Sequence, residues 1–284
     1  MVRQLCAVVN GESLSLQIKK LNFSYGQRSV LKDISFSAEN GSLTAVLGPN
    51  GVGKTTLFRC ILGLLPKYTG DILADGVNTR TLSAKELAHL IAYIPQIHAM
   101  VFAFSVEDIV LMGTAHRVRS FSAPKEEERK AARKAMEQMN ISHLATRNFS
   151  KLSGGEQQLV LIARALAQGT RTILMDEPTA SLDYGNQMMV LEQVRSLTDQ
   201  GYTILLSTHH PQQALWYADK ALALADGGVY ACGQPETVLD EKLIQVLYGT
   251  KTEFFDTAYG KVIVPAGKRA NERNQKKSDS AVAE

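Results

Sequence analysis

From Leu14 the chain alternates apolar and polar positions. Leu14, Leu16 and Ile18 share one side, and Leu21 and Phe23 resume the alternation after a slip in register. With Val30 to Phe36 continuing the pattern, an antiparallel sheet with one buried face is predicted. Leu43 to Leu47 is instead a short apolar run of the kind expected for a strand buried on both faces, and it leads straight into Gly48. A helix is predicted from about Lys54 to Leu64, before Pro66. Another starts at Ser83, where Glu86 three residues on completes a capping-box pattern. Ala131, Ala132, Ala135, Met136 and Met139 recur at helical spacing after Pro124, so the charges from Lys125 to Lys130 read as that helix's solvated first turns. Two further apolar strands, Thr172 to Met175 and Tyr202 to Leu206, each run into polar residues. Strands alternating with helices predict an α/β fold with a mainly parallel sheet. Short β-like runs beyond Ala225 suggest a small C-terminal appendage over about 226–265, and residues 268–284 read as a disordered polar tail.

Bulk properties narrow this picture only slightly. The 284 residues suffice for one good-sized core, or one core with a small appendage. A hydrophobic share of 45% and a charged share of 21% are ordinary, and a formal net charge of +3 is too small to argue for nucleic acid or an anionic surface. Cys6, Cys60 and Cys232 are far apart and in no metal-type spacing, so they read as reduced, packed thiols. No stretch has the ~18 uninterrupted apolar residues of a membrane span. The nearest, Ile91 to Gly113, is broken by Pro95, Gln96, Glu107 and Asp108. Work at a membrane would therefore need other chains to do the spanning.

Candidate chemistry concentrates where the buried strands end. Gly48-Pro49-Asn50-Gly51-Val52-Gly53-Lys54-Thr55 has the form G-x-x-x-x-G-K-T between a strand and a helix, as a phosphate-binding P-loop requires. Glycines let backbone N–H groups converge on an anion, and the helix that follows aims its positive dipole end at the phosphates. Lys54 supplies a mobile full charge, and the Thr55 hydroxyl suits Mg²⁺. Asp176 and Glu177 end a second apolar strand. With a P-loop upstream they fit a Mg²⁺ carboxylate and a polariser of the attacking water, respectively.

Leu152-Ser153-Gly154-Gly155-Glu156-Gln157-Gln158, just upstream of that acidic strand, resembles the signature of ATP-binding-cassette ATPases. The other motifs of that family follow in order, and the resemblance covers essentially Leu14 to Pro265. Tyr25 resembles the aromatic that stacks on adenine, and Gln96 looks like the glutamine linking Mg²⁺ to a transmembrane partner. Ser181-Leu182-Asp183 resembles the loop that crosses the dimer, and His209 the switch histidine. His210 stands where the family usually has Asp, and Glu156 where it commonly has Gln. The resemblance implies a P-loop NTPase core with an N-terminal antiparallel β-subdomain and an inserted α-helical subdomain at about 96–159, all within a domain spanning 14–265. It assigns Gly48 to Thr55 and Thr56 to the nucleotide, with Tyr25, Ser153, Gly154, Gly155 and Asp183. Thr55, Gln96 and Asp176 would serve Mg²⁺, and Glu177, His209 and Gln96 the hydrolysis of ATP.

In that family the signature serine faces the γ-phosphate held by a second copy, so ATP is sandwiched between Lys54 of one subunit and Ser153 of the other. Phe104 to Gly113, Ser181 to Gln187 and Ala231 to Leu239 further resemble the branch that powers import of siderophores, haem or cobalamin. Molybdate or another oxyanion is the nearby option, and an exporter motor a further one. The implied partners are a second copy, transmembrane permease subunits and, indirectly, a substrate-binding protein. The implied location is the cytoplasmic face of the membrane. A coiled-coil DNA-repair cassette is disfavoured because only about a hundred residues separate P-loop and signature. A translation-associated protein with two cassettes is disfavoured by the single P-loop.

Overall fold

The computed structural model describes residues 14–96, 103–117, 123–258 and 260–266. The expected tail, the first residues and Cys6 lie outside them. In chain order the elements are β1 (Leu14–Tyr25), β2 (Arg28–Glu39), β3 (Leu43–Leu47), α1 (Lys54–Ile61), β4 (Thr69–Ala74), β5 (Val77–Asn78), α2 (Ala84–Leu87) and β6 (Ile91–Ile94). Next come α3 (Val106–Met112), α4 (Glu126–Gln138), α5 (Gly154–Gln168), β7 (Thr172–Asp176), α6 (Tyr184–Asp199), β8 (Thr203–Thr208) and α7 (Pro211–Tyr217). The chain closes with β9 (Lys220–Ala225), β10 (Gly228–Gly233), α8 (Pro235–Val238), α9 (Glu241–Tyr248), β11 (Thr252–Thr257) and β12 (Gly260–Pro265).

Two sheets organise these elements. An antiparallel sheet runs β2-β1-β4-β5, and β1 shifts register between Ile18 and Leu21, where the hydrophobic alternation slips. The larger sheet runs β10-β9-β3-β8-β7-β6 and is parallel except for β10, which pairs antiparallel with β9. Successive residues of its central strands enter different cores, because side chains alternate across a strand. Ile173 and Met175 of β7, with Ile204 and Leu206 of β8, pack among α3, α4, α5 and α6. Leu174 and Leu205 point to the opposite core, shared with α1 and the antiparallel sheet. A third cluster joins Ala45 and Leu47 of β3 to α7, α8 and α9. Burial on both faces explains why these strands read as continuous apolar runs.

Helices α3, α4 and α5 fall between β6 and β7 in sequence and pack on one another. Helix α1 stops at Ile61, three residues before the expected end, where Gly63 takes a left-handed φ of 68°. The solvated turns expected from Lys125 to Lys130 need one correction. Glu128 is buried because its carboxylate turns back to accept from the Lys125 N–H at 2.8 Å. Strand β10, expected in an appendage, extends the main sheet instead. The β11–β12 hairpin is stapled to α7 by Gln212, whose amide donates to the Lys261 carbonyl at 2.9 Å and accepts from the Ile263 N–H at 2.7 Å. Cys60 is a buried free thiol pushed up to about 12 by desolvation. Cys232 is packed in β10 at 7% exposure. No helix among the described residues is long and apolar enough to cross a membrane.

Candidate nucleotide site

The chain folds tightly between β3 and α1 because two glycines allow it. Gly48 has φ 154°, and a Cβ there would lie 2.8 Å from both the Leu224 carbonyl and Val52 Cγ1. Gly53, the residue before α1, has φ 115°, a conformation disfavoured for residues with a Cβ. It offers no side-chain cap, and α1 has no acidic residue in its first turn. The first N–H groups of α1 are thus left for an outside acceptor, and the dipole favours an anion there.

Around this loop a cavity of about 270 Å³ is lined by Asn50, Gly51, Gly53, Lys54, Thr55, Thr56, Gln96 and Glu177. Lys54 is 5% exposed, and its Nζ donates to the Gly48 carbonyl at 2.8 Å and the Pro49 carbonyl at 3.3 Å. The same ammonium lies 3.1 Å from Glu177 Oε1. The other carboxylate oxygen, Oε2, accepts from Gln96 Nε2 at 3.1 Å and stands 3.2 Å from His209 Nδ1. A carboxylate only accepts, so His209 Nδ1 carries the hydrogen in that bond. One carboxylate thus gathers groups from the ends of β6, β7 and β8 and from the P-loop.

Strand geometry fixes both acidic residues. Ser207, beside Asp176 on β8, donates its hydroxyl to Asp176 Oδ1 at 2.6 Å and accepts from the Glu177 N–H at 2.9 Å. Glu177 itself has φ 47°, a left-handed backbone that costs a non-glycine residue on the order of 1–3 kcal/mol. Tyr93 of β6 closes the other side of Asp176, its hydroxyl 3.5 Å from Oδ2. Burial, and then the Asp176 charge, push the Tyr93 phenol up to about 12, so it stays protonated as a donor. Neither Ser207 nor Tyr93 is prominent in the sequence. The only signal was their place at the polar ends of apolar strands.

The remaining expected residues lie apart from this cavity. Ser153 precedes α5, where its hydroxyl accepts from the Glu156 N–H at 3.3 Å and Glu156 answers with a 2.8 Å bond from the Ser153 N–H. Hydrogen bonds from the Ser153 N–H and then its hydroxyl hold the Glu156 carboxyl below its ordinary pKa. Gly154 and Gly155 form the first turn of α5, and a Cβ on Gly155 would collide with Asn186 Oδ1. Asp183 caps α6 by accepting from the Asn186 N–H at 2.9 Å, which draws its carboxyl below the usual range. None of these four residues lines the cavity that holds Lys54. Tyr25, 46% exposed at the end of β1, packs edge-on against Phe23 at 4.8 Å and does not line it either. His210 stacks 4.1 Å from His209, and burial, then the His209 charge, lower its pKa.

Comparison with known proteins adds the family. The ABC transporter family profile matches residues 31–180. An ABC transporter ATP-binding protein of Haemophilus influenzae with no assigned substrate is 39% identical over 238 residues, covering 84% of this chain and 90% of the relative. A probable iron chelatin transport ATP-binding protein of Helicobacter pylori is 36% identical, covering 84% and 94%. A molybdate import ATP-binding protein of Haemophilus influenzae is also 36% identical, covering 82% and 88%. Among solved structures, a chain of an inward-facing ABC transporter described as of metal-chelate type superposes with a TM-score of 0.81 at 32% identity, covering 91% of this chain and 99% of that one. With the P-loop, the acidic strand end and the signature helix all in place, the chain belongs to the ABC transporter family as an ATP-binding subunit that hydrolyses ATP to power transport.

Proposed function

We propose that this chain drives a metal-chelate importer, hydrolysing ATP between two of its own copies beneath a membrane permease. The observation that carries the catalytic reading is the Glu177 carboxylate, held at the P-loop cavity by Lys54, Gln96 and His209. In this reading Gly48 to Thr56 cradle the triphosphate, Lys54 meets its β- and γ-oxygens, and Tyr25 stacks on the adenine. Glu177 aligns the attacking water and takes its proton. The His209 Nδ1–H steadies that carboxylate in the resting site and turns to the γ-phosphate when nucleotide is bound.

Thr55, Gln96 and Asp176 offer only oxygen ligands, the donor set that suits Mg²⁺. A Mg²⁺ ion held there would supply charge neutralisation to the triphosphate. Ser153, Gly154, Gly155 and Asp183 serve the site of the second copy, consistent with their distance from their own cavity. The functional unit is residues 14–265, with 96–159 as the helical subdomain. It sits peripherally on the cytoplasmic face, held by permease subunits that take cargo from a substrate-binding protein.

Replacing Glu177 tests the chemistry. Glu177→Gln keeps shape but cannot accept a proton, so turnover should fall by about 10²–10⁴-fold while ATP binds at least as well. Near-normal turnover in the assembled transporter would overturn the assignment. The iron-chelatin relative and the metal-chelate structure favour a chelate as cargo, while the molybdate relative supports an oxyanion as the second reading. ATP-dependent uptake of a radiolabelled ferric siderophore, haem or cobalamin by the reconstituted transporter should exceed that of molybdate. The reverse ranking would shift the assignment to the oxyanion.

A further inference from the structure

Behind the catalytic loops lies a second polar assembly that the reaction itself does not use. Gln213 on α7 is 5% exposed, and its Oε1 accepts from two buried hydroxyls, Thr208 Oγ1 at 3.0 Å and Thr179 Oγ1 at 3.4 Å. Its Nε2 donates to Gln187 Oε1 at 3.2 Å, and Gln187 Nε2 donates in turn to the Leu182 carbonyl at 2.9 Å. Thr208 also accepts from the His210 N–H at 3.1 Å. Every bond in this chain has its direction fixed. The Leu182 carbonyl only accepts, which orients the Gln187 amide, which orients Gln213 and leaves its oxygen to two hydroxyl donors.

The three segments joined this way are the three that carry the proposed chemistry. Thr179 follows Glu177 by two residues, and the turn between them is closed by the Ala180 N–H on the Glu177 carbonyl at 3.2 Å. Thr208 immediately precedes His209. Leu182 is the middle residue of the Ser181–Asp183 loop, whose own link to Thr179 is a 3.2 Å backbone bond. Gln213, Thr179 and Thr208 are buried, so a partner lost there leaves a desolvated polar group behind, and Gln187 and Leu182 continue the chain half-buried.

We infer that Gln213 and Gln187 are positioning residues, forming an amide relay that locks the Glu177 loop, the His209 loop and the dimer-crossing loop into one unit. This rests on the proposed roles of Glu177, His209 and Asp183. The relay places the crossing loop, which faces the second copy, in direct register with the base and histidine of its own copy. A shift of the loop at the dimer seam is thereby passed to the catalytic carboxylate without passing through nucleotide.

The test is steady-state ATP hydrolysis by the full chain co-purified with its permease, with nucleotide affinity and melting temperature measured on the same samples. Gln213→Leu removes both halves of the relay. Gln213→Glu still accepts from the two threonines but cannot donate to Gln187, and Gln187→Leu removes only the crossing-loop half. Each should lower kcat by about 10-fold with KM for ATP within about 2-fold, the effect of small misplacement of a catalytic group. The Gln213→Leu, Gln187→Leu double variant should be no slower than the slower single one, because both cut one chain. Normal kcat in Gln187→Leu, multiplying effects in the double variant, or loss of kcat only in step with a lowered melting temperature would each overturn the relay. Glu177→Gln run in parallel separates the two claims. If it is inactive while the glutamine variants are normal, only the relay fails; if it is active, the catalytic reading fails and the relay's function falls with it.

Discussion

Two helix beginnings in this molecule look alike in sequence and are built in opposite ways. Helix α1 starts after Gly53 with no side-chain cap and no acid in its first turn, and Lys54 is drawn into the loop beside it. Helix α5 starts after Ser153 with a complete capping box, and Glu156 supplies a carboxylate at its first turn. The first end leaves its N–H groups open to an acceptor from outside the chain. The second spends its Ser153 and Glu156 groups on each other, with Gly154 exposed and Gly155 buried beside it. Helix dipole alone therefore does not make a phosphate site. What distinguishes the ends is whether the chain has spent its own acceptors on them. A self-capped end that does not line the cavity holding Lys54 suits, in the proposed reading, an anion presented by another molecule, with the capping box keeping the helix start in shape meanwhile.

The largest effect expected from this contrast is a rescue. Lys54→Ala should lose most ATP binding, whereas Ser153→Arg should bind ATP as a monomer yet fail to hydrolyse it. Mixed together, half the dimers pair one of each, and each such dimer holds one site with both defects and one with neither. Activity should return to about a quarter of wild type, given a two-fold symmetric assembly. A mixture that stays inactive while forming dimers would mean the two helix ends serve the same subunit.

A smaller effect concerns the aromatic that stands outside the cavity. Tyr25→Ala should weaken ATP binding by about 1–3 kcal/mol, borrowing the scale of base–aromatic stacking. Titration calorimetry showing unchanged affinity would return Tyr25 to its packing against Phe23.

The smallest effect probes the cap itself. Glu156 has a folded-state pKa below its ordinary value of about 4.3, so it adds stability above that pH and loses it as pH falls through the folded value. Glu156→Gln can still accept from the Ser153 N–H, so melting temperature near neutral pH should hardly change. Its decline between about pH 5 and 3 should be shallower than in the parent chain. An equally steep decline would show that Glu156 is not the group whose protonation loosens α5.

How much of this was legible in the sequence depended on whether a feature was local. The slip between Ile18 and Leu21 lay in the alternation itself, and the P-loop and the Ser83–Glu86 box each fall within a few residues. Strand β10 was harder: its Gly228–Gly233 run looks like any short hairpin arm, and only its pairing with β9 puts it in the main sheet. The set around Glu177 was half visible. Glu177, Gln96 and His209 carry motif spacing, but their meeting on one carboxylate depends on β6, β7 and β8 lying side by side. Ser207 offered only its place at a polar strand end and Gln213 no local signal at all, since a buried hydroxyl or amide matters only once its partners are known.

The pairing of Lys54 with Glu177 at 3.1 Å, both nearly buried, has a consequence for selectivity. The cation that should greet a phosphate is already neutralised, so an arriving anion has to compete with a carboxylate that needs no diffusion to reach it. Separating a buried pair is expensive unless the newcomer returns comparable contacts. A lone sulfate or inorganic phosphate brings only one anionic group, whereas a nucleoside triphosphate brings several along the loop and a base besides. Under the proposed roles the pair sets a threshold: a ligand that returns contacts along the whole loop should part Lys54 from Glu177 where a lone anion should not.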